Sequence, residues 1–240
     1  MSKIYKAAMI VIGDEILSGR TRDENVNYAA NKLASRGVTL SEVRIIPDDT
    51  AAIISAINEL RVKYDYVFTS GGIGPTHDDI TALSVAKAFG GRLELRQDVC
   101  ELLKQEYKGG DFTNASAKMA MIPAGAALIP NPLSAAPGFI VENVYVMAGV
   151  PVIMHAMMDY VADIIEGGAV VKSRTVESSL GESRIAGGLG EVQSRFSHVD
   201  IGSYPYFTDG ARGVRVVLRS SNESDLENAE AQVIDMIDKL

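Results

Sequence analysis

The sequence predicts an α/β protein in which a mainly parallel sheet, covered by helices on both faces, is followed by a small α+β unit. Three observations predict it. Through the first two thirds, short apolar runs alternate with amphipathic stretches at helical spacing, the signature of strand and helix units wound around a parallel sheet. Composition then changes at Glu166-Gly167-Gly168-Ala169, which reads as a linker and sets domains of 1–168 and 169–240. The chain has 240 residues, 47% of them hydrophobic and 22% charged, enough to bury a proper core with ordinary globular composition.

The elements follow in order. "AAMIVIG" (7–13) is a first buried strand; Lys3 and Lys6 precede it, but it runs straight into Gly13-Asp14-Glu15 without a cleavage site, unlike a signal peptide. In 23–36, Val26, Ala29, Ala30 and Leu33 share one helical face, and Gly37 supplies the stop. "VTLSEVRIIP" (38–47) is a second strand, 50–63 a helix with Thr50 as N-cap, and "YDYVFTS" (64–70) a third strand. Helices are expected at 79–89, 97–107 and 114–121, then a hairpin turning at Glu142-Asn143, then a helix at 151–166 with Pro151 in its first turn. Beyond the linker a strand (170–176), a helix (182–196), strands at 199–203 and 213–219 and a helix at 223–239 make a βαββα unit.

Charge and cysteine usage exclude several classes. A formal net charge of −8 argues against broad capture of nucleic acid or an anionic membrane, which needs clustered Lys and Arg. The C-terminal unit adds no glycine-flanked basic loop and no evident aromatic platform. Cys100 is the only cysteine, so no internal disulfide forms, and with His77, His155 and His198 it cannot build a zinc framework. A reducing cytoplasm fits. No apolar segment approaches the ~20 residues of a membrane span.

The chemistry concentrates in "TSGGIGPTHDDIT" (69–81). Gly71, Gly72 and Gly74 stand where a strand hands over to a helix, the edge at which open α/β sheets collect ligands. Glycine permits positive φ and close backbone approach, so N–H groups there can cradle an anion such as phosphate. The motif lacks the Lys-Ser/Thr of a Walker A loop and the spacing of a dinucleotide fingerprint, and by itself it also reads as a tight connection. Asp78 and Asp79 place carboxylates beside that anion, a pairing that suggests a divalent cation on both (Mg²⁺, Mn²⁺ or Co²⁺); capping of the next helix is the alternative. His77 is a candidate for proton transfer or metal binding, or a surface hydrogen-bonder. Asp14 and Glu15, after Gly13 at another strand end, face the same ligand if the strands are adjacent and parallel, or cap a helix instead. Lys118 in "NASAKMAMIP" offers a cation for phosphate charge, or is simply solvated. "SAAPGF" (134–139) is a further wall or a turn.

Taken together, "GDEILSGRTRDENVNYAANKLASRGV", "TSGGIGPTHDDIT", "NASAKMAMIPAGA" and "AAPGF…AGVP" resemble, in order and spacing, the molybdopterin-binding (molybdenum-cofactor biosynthesis) domain, specifically its CinA-like (competence/damage-inducible protein A) branch. The resemblance covers about the first 165 residues, and "GESRIAGGL" with "IGSYPYF" resembles the small middle domain of CinA-like proteins. It implies a three-layer α/β/α fold with its ligand site around Ser70, Gly71, Gly72, Gly74, Pro75, Thr76, Asp78 and Asp79, with Pro137 and Gly138 nearby. In the CinA-like branch and in eukaryotic FAD synthases that pocket is associated with metal-dependent cleavage of the pyrophosphate of ADP-ribose or FAD; in the cofactor branch it binds or adenylylates molybdopterin. The implied protein is a cytoplasmic hydrolase of a nucleotide pyrophosphate, or a molybdopterin-handling protein, or a non-catalytic nucleotide-binding regulator. Asp78, Asp79 and Lys118 are its expected catalytic residues, and it is expected to be a homo-oligomer with a small-molecule nucleotide or pterin ligand. The amidohydrolase domain of longer members does not follow Leu240, so nicotinamide-nucleotide deamidation is not expected. Two departures stand out: Ser134-Ala135-Ala136-Pro137-Gly138 replaces the common Gly-Thr-Ala-Pro-Gly, and Ile153 replaces a common glutamate.

Overall fold

The computed structural model describes residues 3–107, 112–208 and 211–240. They divide into two compact units, Met1–Gly168 and Ala169–Leu240. The first contains, in chain order, β1 (Tyr5–Ile12), α1 (Asp14–Leu17), α2 (Asn25–Ser35), β2 (Val38–Ile46), α3 (Thr50–Arg61), β3 (Tyr66–Ser70) and α4 (Thr81–Ala88). It continues with β4 (Leu93–Leu95), α5 (Gln97–Glu106), α6 (Asn114–Lys118), β5 (Met121–Pro123), β6 (Ala127–Ile129), β7 (Gly138–Val141), β8 (Val144–Met147) and α7 (Pro151–Ile164).

The main sheet has the order β2-β1-β3-β8-β7-β6. Its first four strands run parallel, and β7 alone is reversed, pairing antiparallel with both β8 and β6. Period-two alternation along β1 explains why helices cover both faces. Ala7, Met9 and Val11 pack with Ala29 and Leu33 of α2 and Met154, Met157 and Val161 of α7. Ala8, Ile10 and Ile12 pack on the other face with Ile53, Ile57 and Leu60 of α3 and Val85 of α4. A strand buried on both sides needs an almost unbroken apolar run, and "AAMIVI" is one.

Local signals act largely as expected. Gly37 ends α2 with φ 68, and Pro151 opens α7 at its first turn. The hairpin pairs Val141 with Val144 across Glu142 and Asn143, Glu142 taking φ 51. Two expectations change. The cap of α3 is Asp49, not Thr50: Ala52 N–H donates to Asp49 Oδ1 at 2.8 Å. The helix expected over 114–121 ends at Lys118, and Met121–Pro123 instead pairs antiparallel with Leu93–Leu95. Pro123 cannot prolong a helix, and a three-residue strand carries too little periodicity to be seen in advance. The same holds for β6.

The second unit runs β9 (Lys172–Ser178), α8 (Glu182–Arg195), β10 (Asp200–Thr208), β11 (Ala211–Ser220) and α9 (Glu223–Asp238). Its antiparallel sheet has the order β10-β11-β9. Ile185, Leu189 and Val192 of α8 and Leu226, Ala229 and Val233 of α9 bury Val214, Val216 and Leu218 of β11. The β10 and β11 strands run farther than the sequence expectation of 199–203 and 213–219, because "YPYF" and the start of β11 continue the ladder through Phe207 and Arg212.

Candidate functional site

Parallel strands β1, β2 and β3 end side by side, with Ile12 opposite Ile46 and Val11 opposite Ser70. The segments leaving them line a cleft of 430 Å³. From β1 come Gly13 and Glu15, after β2 comes Asp48, and from the β3 loop come Gly71, Gly72, Ile73, Gly74, Pro75, Asp78 and Asp79. Asn131, Ser134, Ala136, Gly149 and Ile153 add further lining.

The β3 loop is fixed by backbone approach. Gly71 has φ 110, and a Cβ there would lie 2.2 Å from the Ile12 carbonyl oxygen. Gly72 has φ 68, and a Cβ there would lie 2.2 Å from Thr81 Oγ1. Thr81, fully buried at the first turn of α4, donates its hydroxyl to Gly71 O and its N–H to Gly72 O, both at 3.0 Å. The loop therefore has no room for side chains where it bends, which is why glycine occupies both positions. Gly71 N–H is already given to Met147 O at 3.2 Å. Among the described residues, the N–H groups of Gly72, Ile73 and Gly74 meet no protein acceptor. Any anion seat is thus formed by 72–74, one residue later than the glycines alone suggested.

Neither aspartate caps α4, whose N-cap is Ile80 with no side-chain bond. Asp79 instead closes the preceding turn: its Oδ2 accepts the Thr76 N–H at 2.8 Å and the Thr76 hydroxyl. Lys118 donates to the Thr76 carbonyl, tying α6 to the loop. Asp78 lines the cleft. The neighbouring Thr76 hydroxyl first, then its own backbone N–H, with weaker pulls from His77 and Lys118, hold its carboxyl below the ordinary value.

The β1 end is acidic. Gly13 N–H donates to Ile46 O at 3.1 Å, and Asp14 N–H to Asp48 Oδ2 at 3.0 Å. Burial, first, and then the negative charges of Asp14, Glu15 and Asp78 push the Asp48 carboxyl up, against the bond from Asp14 N–H. Asp48 was not a sequence candidate; its only signal was position, an aspartate just past the end of the strand beside β1.

Two buried asparagines brace the site and also escaped the sequence reading. Asn25 Nδ2 donates to Ser70 Oγ at 2.7 Å and to Gly149 O at 2.8 Å, joining the ends of β3 and β8. A polar residue on the Ala29 and Leu33 stripe of α2 was the available clue. Asn131 donates to Ser134 Oγ at 2.6 Å and Ala136 O at 2.9 Å and accepts the Leu133 N–H at 3.0 Å. This holds the 131–136 segment, in which Ala135 takes φ 58, a left-handed conformation uncommon for a residue other than glycine.

The expected site residues thus sort by place. Gly13, Glu15, Gly71, Gly72, Gly74, Pro75, Asp78 and Asp79 line the cleft. Asp14 lies beside it through Asp48, and Thr76 is an exposed turn residue. Ser70 is buried and consumed in bracing. Lys118, Pro137 and the exposed His77 line a second cleft of 280 Å³, which shares Gly72, Ile73, Gly74, Asp79 and Met119 with the first. Gly138 lines neither; a Cβ there would lie 2.3 Å from Val146 O, so its role is close packing of β7 on β8. A larger groove, 630 Å³, lies against α2 and His155, away from these strand ends.

The donor set near Asp78 is all oxygen, which suits a hard cation. Among the described residues no three His, Cys, Asp or Glu converge into a cage.

An open, largely parallel sheet with helices on both faces and a glycine loop at its strand ends defines a small-molecule-binding α/β domain. Residues 8–166 match the family described as "probable molybdopterin binding domain", and the chain belongs to that family. It falls in the CinA-like branch. It is 38% identical to a CinA-like protein of Citrifermentans bemidjiense over 160 residues, 64% of this chain but 39% of that protein. A crystal structure of a CinA protein of unknown function from Thermoplasma acidophilum superposes with TM-score 0.63 at 34% identity, covering 67% of this chain and 98% of that one. A protein of Archaeoglobus fulgidus is 36% identical over 82% of this chain and 84% of its own length. Residues 170–240 match the family described as "FAD synthase, middle domain". No helix among the described residues is long and apolar enough to cross a membrane.

Proposed function

We propose that the cleft binds the pyrophosphate of a nucleotide such as ADP-ribose or FAD and hydrolyses it with a divalent cation. The observation that carries this reading is the pairing, across one cleft, of unengaged N–H groups at 72–74 with carboxylates from neighbouring strand ends. Amides without side chains bind phosphate oxygen, whereas carboxylates beside a phosphate repel it unless a cation intervenes. The FAD synthase middle domain in the second unit supports a pyrophosphate-containing nucleotide as the substrate class.

In this reading the Gly72, Ile73 and Gly74 amides hold non-bridging oxygens of one phosphate, and Asp79 keeps them in place by closing the 76–79 turn. Asp78, with one further carboxylate from the neighbouring strand ends, Glu15, Asp48 or Asp14, would hold Mg²⁺, Mn²⁺ or Co²⁺. The ion when bound supplies charge neutralisation and a more acidic water. Water adds to one phosphorus, the bridging oxygen leaves with the other phosphate, and the water's proton passes to a cleft carboxylate. Lys118, fastened at Thr76, answers charge on the departing phosphate. Ile153, where the resemblance implies a glutamate, lies in the cleft wall, so this chain has no carboxylate at that point of the wall.

Incubation with ADP-ribose or FAD and each metal, following AMP release, is expected to show turnover that Asp78→Ala abolishes without unfolding the chain. No turnover under any combination sinks the hydrolase reading. Family membership favours a second reading, molybdopterin binding or adenylylation. Its mark is pterin-AMP formed from ATP without hydrolysis. Tight nucleotide binding with no product from either assay identifies a regulatory module.

A further inference from the structure

Four strands stand at the edges of the two larger sheets, and three of them are guarded against pairing with another chain. β6 is only three residues long, β9 carries Lys172 and Arg174, and β10 carries Pro205. β2 has no such guard. It is nine residues long, contains neither Lys nor Pro, and among the described residues pairs only with β1. Its Val43 and Ile45 lie opposite Met9 and Val11, on the face covered by α2, yet they are 40% and 44% exposed at the open edge.

The peptide groups of the same two residues face that edge. Ile46 C=O accepts the Gly13 N–H and so points toward β1. Alternation along a strand then turns the N–H and C=O of Arg44 toward β1 and those of Val43 and Ile45 away from it. The bulge at Ser41, between the partners of Ala7 and Ala8, leaves 42–46 as the regular part of the edge. On the opposite face of the strand stand two side chains of opposite sign, Glu42 and Arg44, with Arg44 reaching Glu59 of α3 at 2.7 Å.

We propose that β2 docks a second copy of this chain: two β2 strands pair antiparallel about a twofold axis at Val43 and join two six-stranded sheets into one. Charge and backbone together fix the axis. Centred on Val43, where the peptide groups face outward, the pairing sets each Glu42 opposite Arg44 of the second copy. Centred on Glu42 or Arg44, it would bring like charges face to face. Centred on Ile45, it would set Val43 against Pro47, which has no N–H to give. With the axis at Val43, the two Val43 residues exchange N–H to C=O bonds, and each Ile45 lies beside Ser41 and diagonal to Val43 of the other copy, covering the apolar row. The charged pairs select the register, whereas the backbone bonds and the apolar row supply the affinity. A self-complementary patch of this kind closes as a dimer. The cleft lies beyond Ile46 at the strand ends, so pairing leaves it open. One strand edge is a small interface, and association is expected in the micromolar range.

Sedimentation equilibrium of the full chain from about 1 to 200 µM tests this, with a monomer–dimer equilibrium expected. Val43→Pro is expected to weaken the dimer at least tenfold without changing the far-ultraviolet circular dichroism, because the N–H it removes is not given to β1. Ile45→Lys, which adds the missing guard, is expected to do the same, and serves if the proline variant unfolds. Register is read separately. Val43→Cys should cross-link to its own copy with a short bis-maleimide, whereas Thr39→Cys should not, its two copies lying about 27 Å apart in this pairing. Cys100 is buried, so the introduced thiol is the reactive one. The proposal is overturned by a wild-type chain that stays monomeric or forms a trimer, by a dimer that both Val43→Pro and Ile45→Lys leave intact, or by Thr39→Cys cross-linking as readily as Val43→Cys.

Discussion

The two neighbouring strand ends that form the cleft are built on opposite plans. Immediately after β3, from Gly71 to Gly74, the chain presents mostly backbone, its carboxylates coming later at Asp78 and Asp79; after β1 it presents carboxylates at once on a short helix. Both turns contain glycine, but for different reasons. At Gly72 an added methyl meets Thr81 Oγ1 of a buried side chain, and φ is positive. At Gly13 it meets only the Glu15 carboxylate, which is free to swing away. The anion side is therefore rigid and intolerant, and the cation side adjustable. A phosphate seat must be preorganised to be worth anything against water, while carboxylates around a metal gain from freedom to adapt.

The largest expected effect comes from breaking the rigid side. Gly72→Ala should displace the loop or force Thr81 out of its buried site, costing about 2–4 kcal/mol of stability by analogy with strained and overpacked positions, and phosphate binding with it. Thermal melts and calorimetry with pyrophosphate check it, and near-native values for both would break the contrast with Gly13. Thr81→Val keeps the shape but leaves Gly71 O without its hydroxyl donor, an expected loss of about 1–3 kcal/mol. Thr81→Ser should recover most of it. If Val and Ser variants melt alike, the hydroxyl is not what fastens the loop.

How far this contrast was legible in the sequence depends on the kind of force involved. The parallel sheet was visible because burial on two faces demands long apolar runs, and β1 supplies one. The glycine loop was visible because few motifs concentrate so much backbone freedom at a strand end. Which amides remain unengaged was not, since Gly71 N–H is consumed by Met147, 76 residues away in sequence. Asp48 was missed for a similar reason: its importance comes from β2 lying beside β1, a pairing that no local pattern states. Asn25 and Asn131 are long-range or loop braces whose partners are mostly backbone atoms. The roles of Asp78 and Asp79 separated only when Thr76 was seen to engage one of them.

The adjustable side predicts gains as well as losses. Asp48→Asn keeps an oxygen able to accept the Asp14 N–H while removing a charge that burial and three neighbouring carboxylates disfavour. In the absence of metal this variant should melt a degree or two higher than the wild type, and its turnover with Mg²⁺ should fall. A variant that is both less stable and fully active would show that Asp48 is held for another purpose. Gly13→Ala should cost less than Gly72→Ala, because the atoms nearest its added methyl are the far end of the flexible Glu15 side chain, which can move aside.

The smallest effect lies away from the site and serves as its control. Glu42 on β2 receives Lys63, Tyr64 and Arg44, which together hold its carboxyl down to about 2 from an ordinary 4.5. Because the folded-state value is the lower one, the stabilisation is present above pH 4.5 and is lost as pH falls toward 2. Glu42→Gln should therefore flatten the melting temperature across that window and shift it only slightly at pH 7, since these partners sit near the surface, where screening leaves exposed pairs little net value. Turnover at neutral pH should not change. If Glu42→Gln instead altered nucleotide affinity as much as Asp48→Asn does, carboxylates on β2 would be acting on the ligand through the general field of the molecule, and the division between a rigid amide seat and a local carboxylate cluster would have to be abandoned.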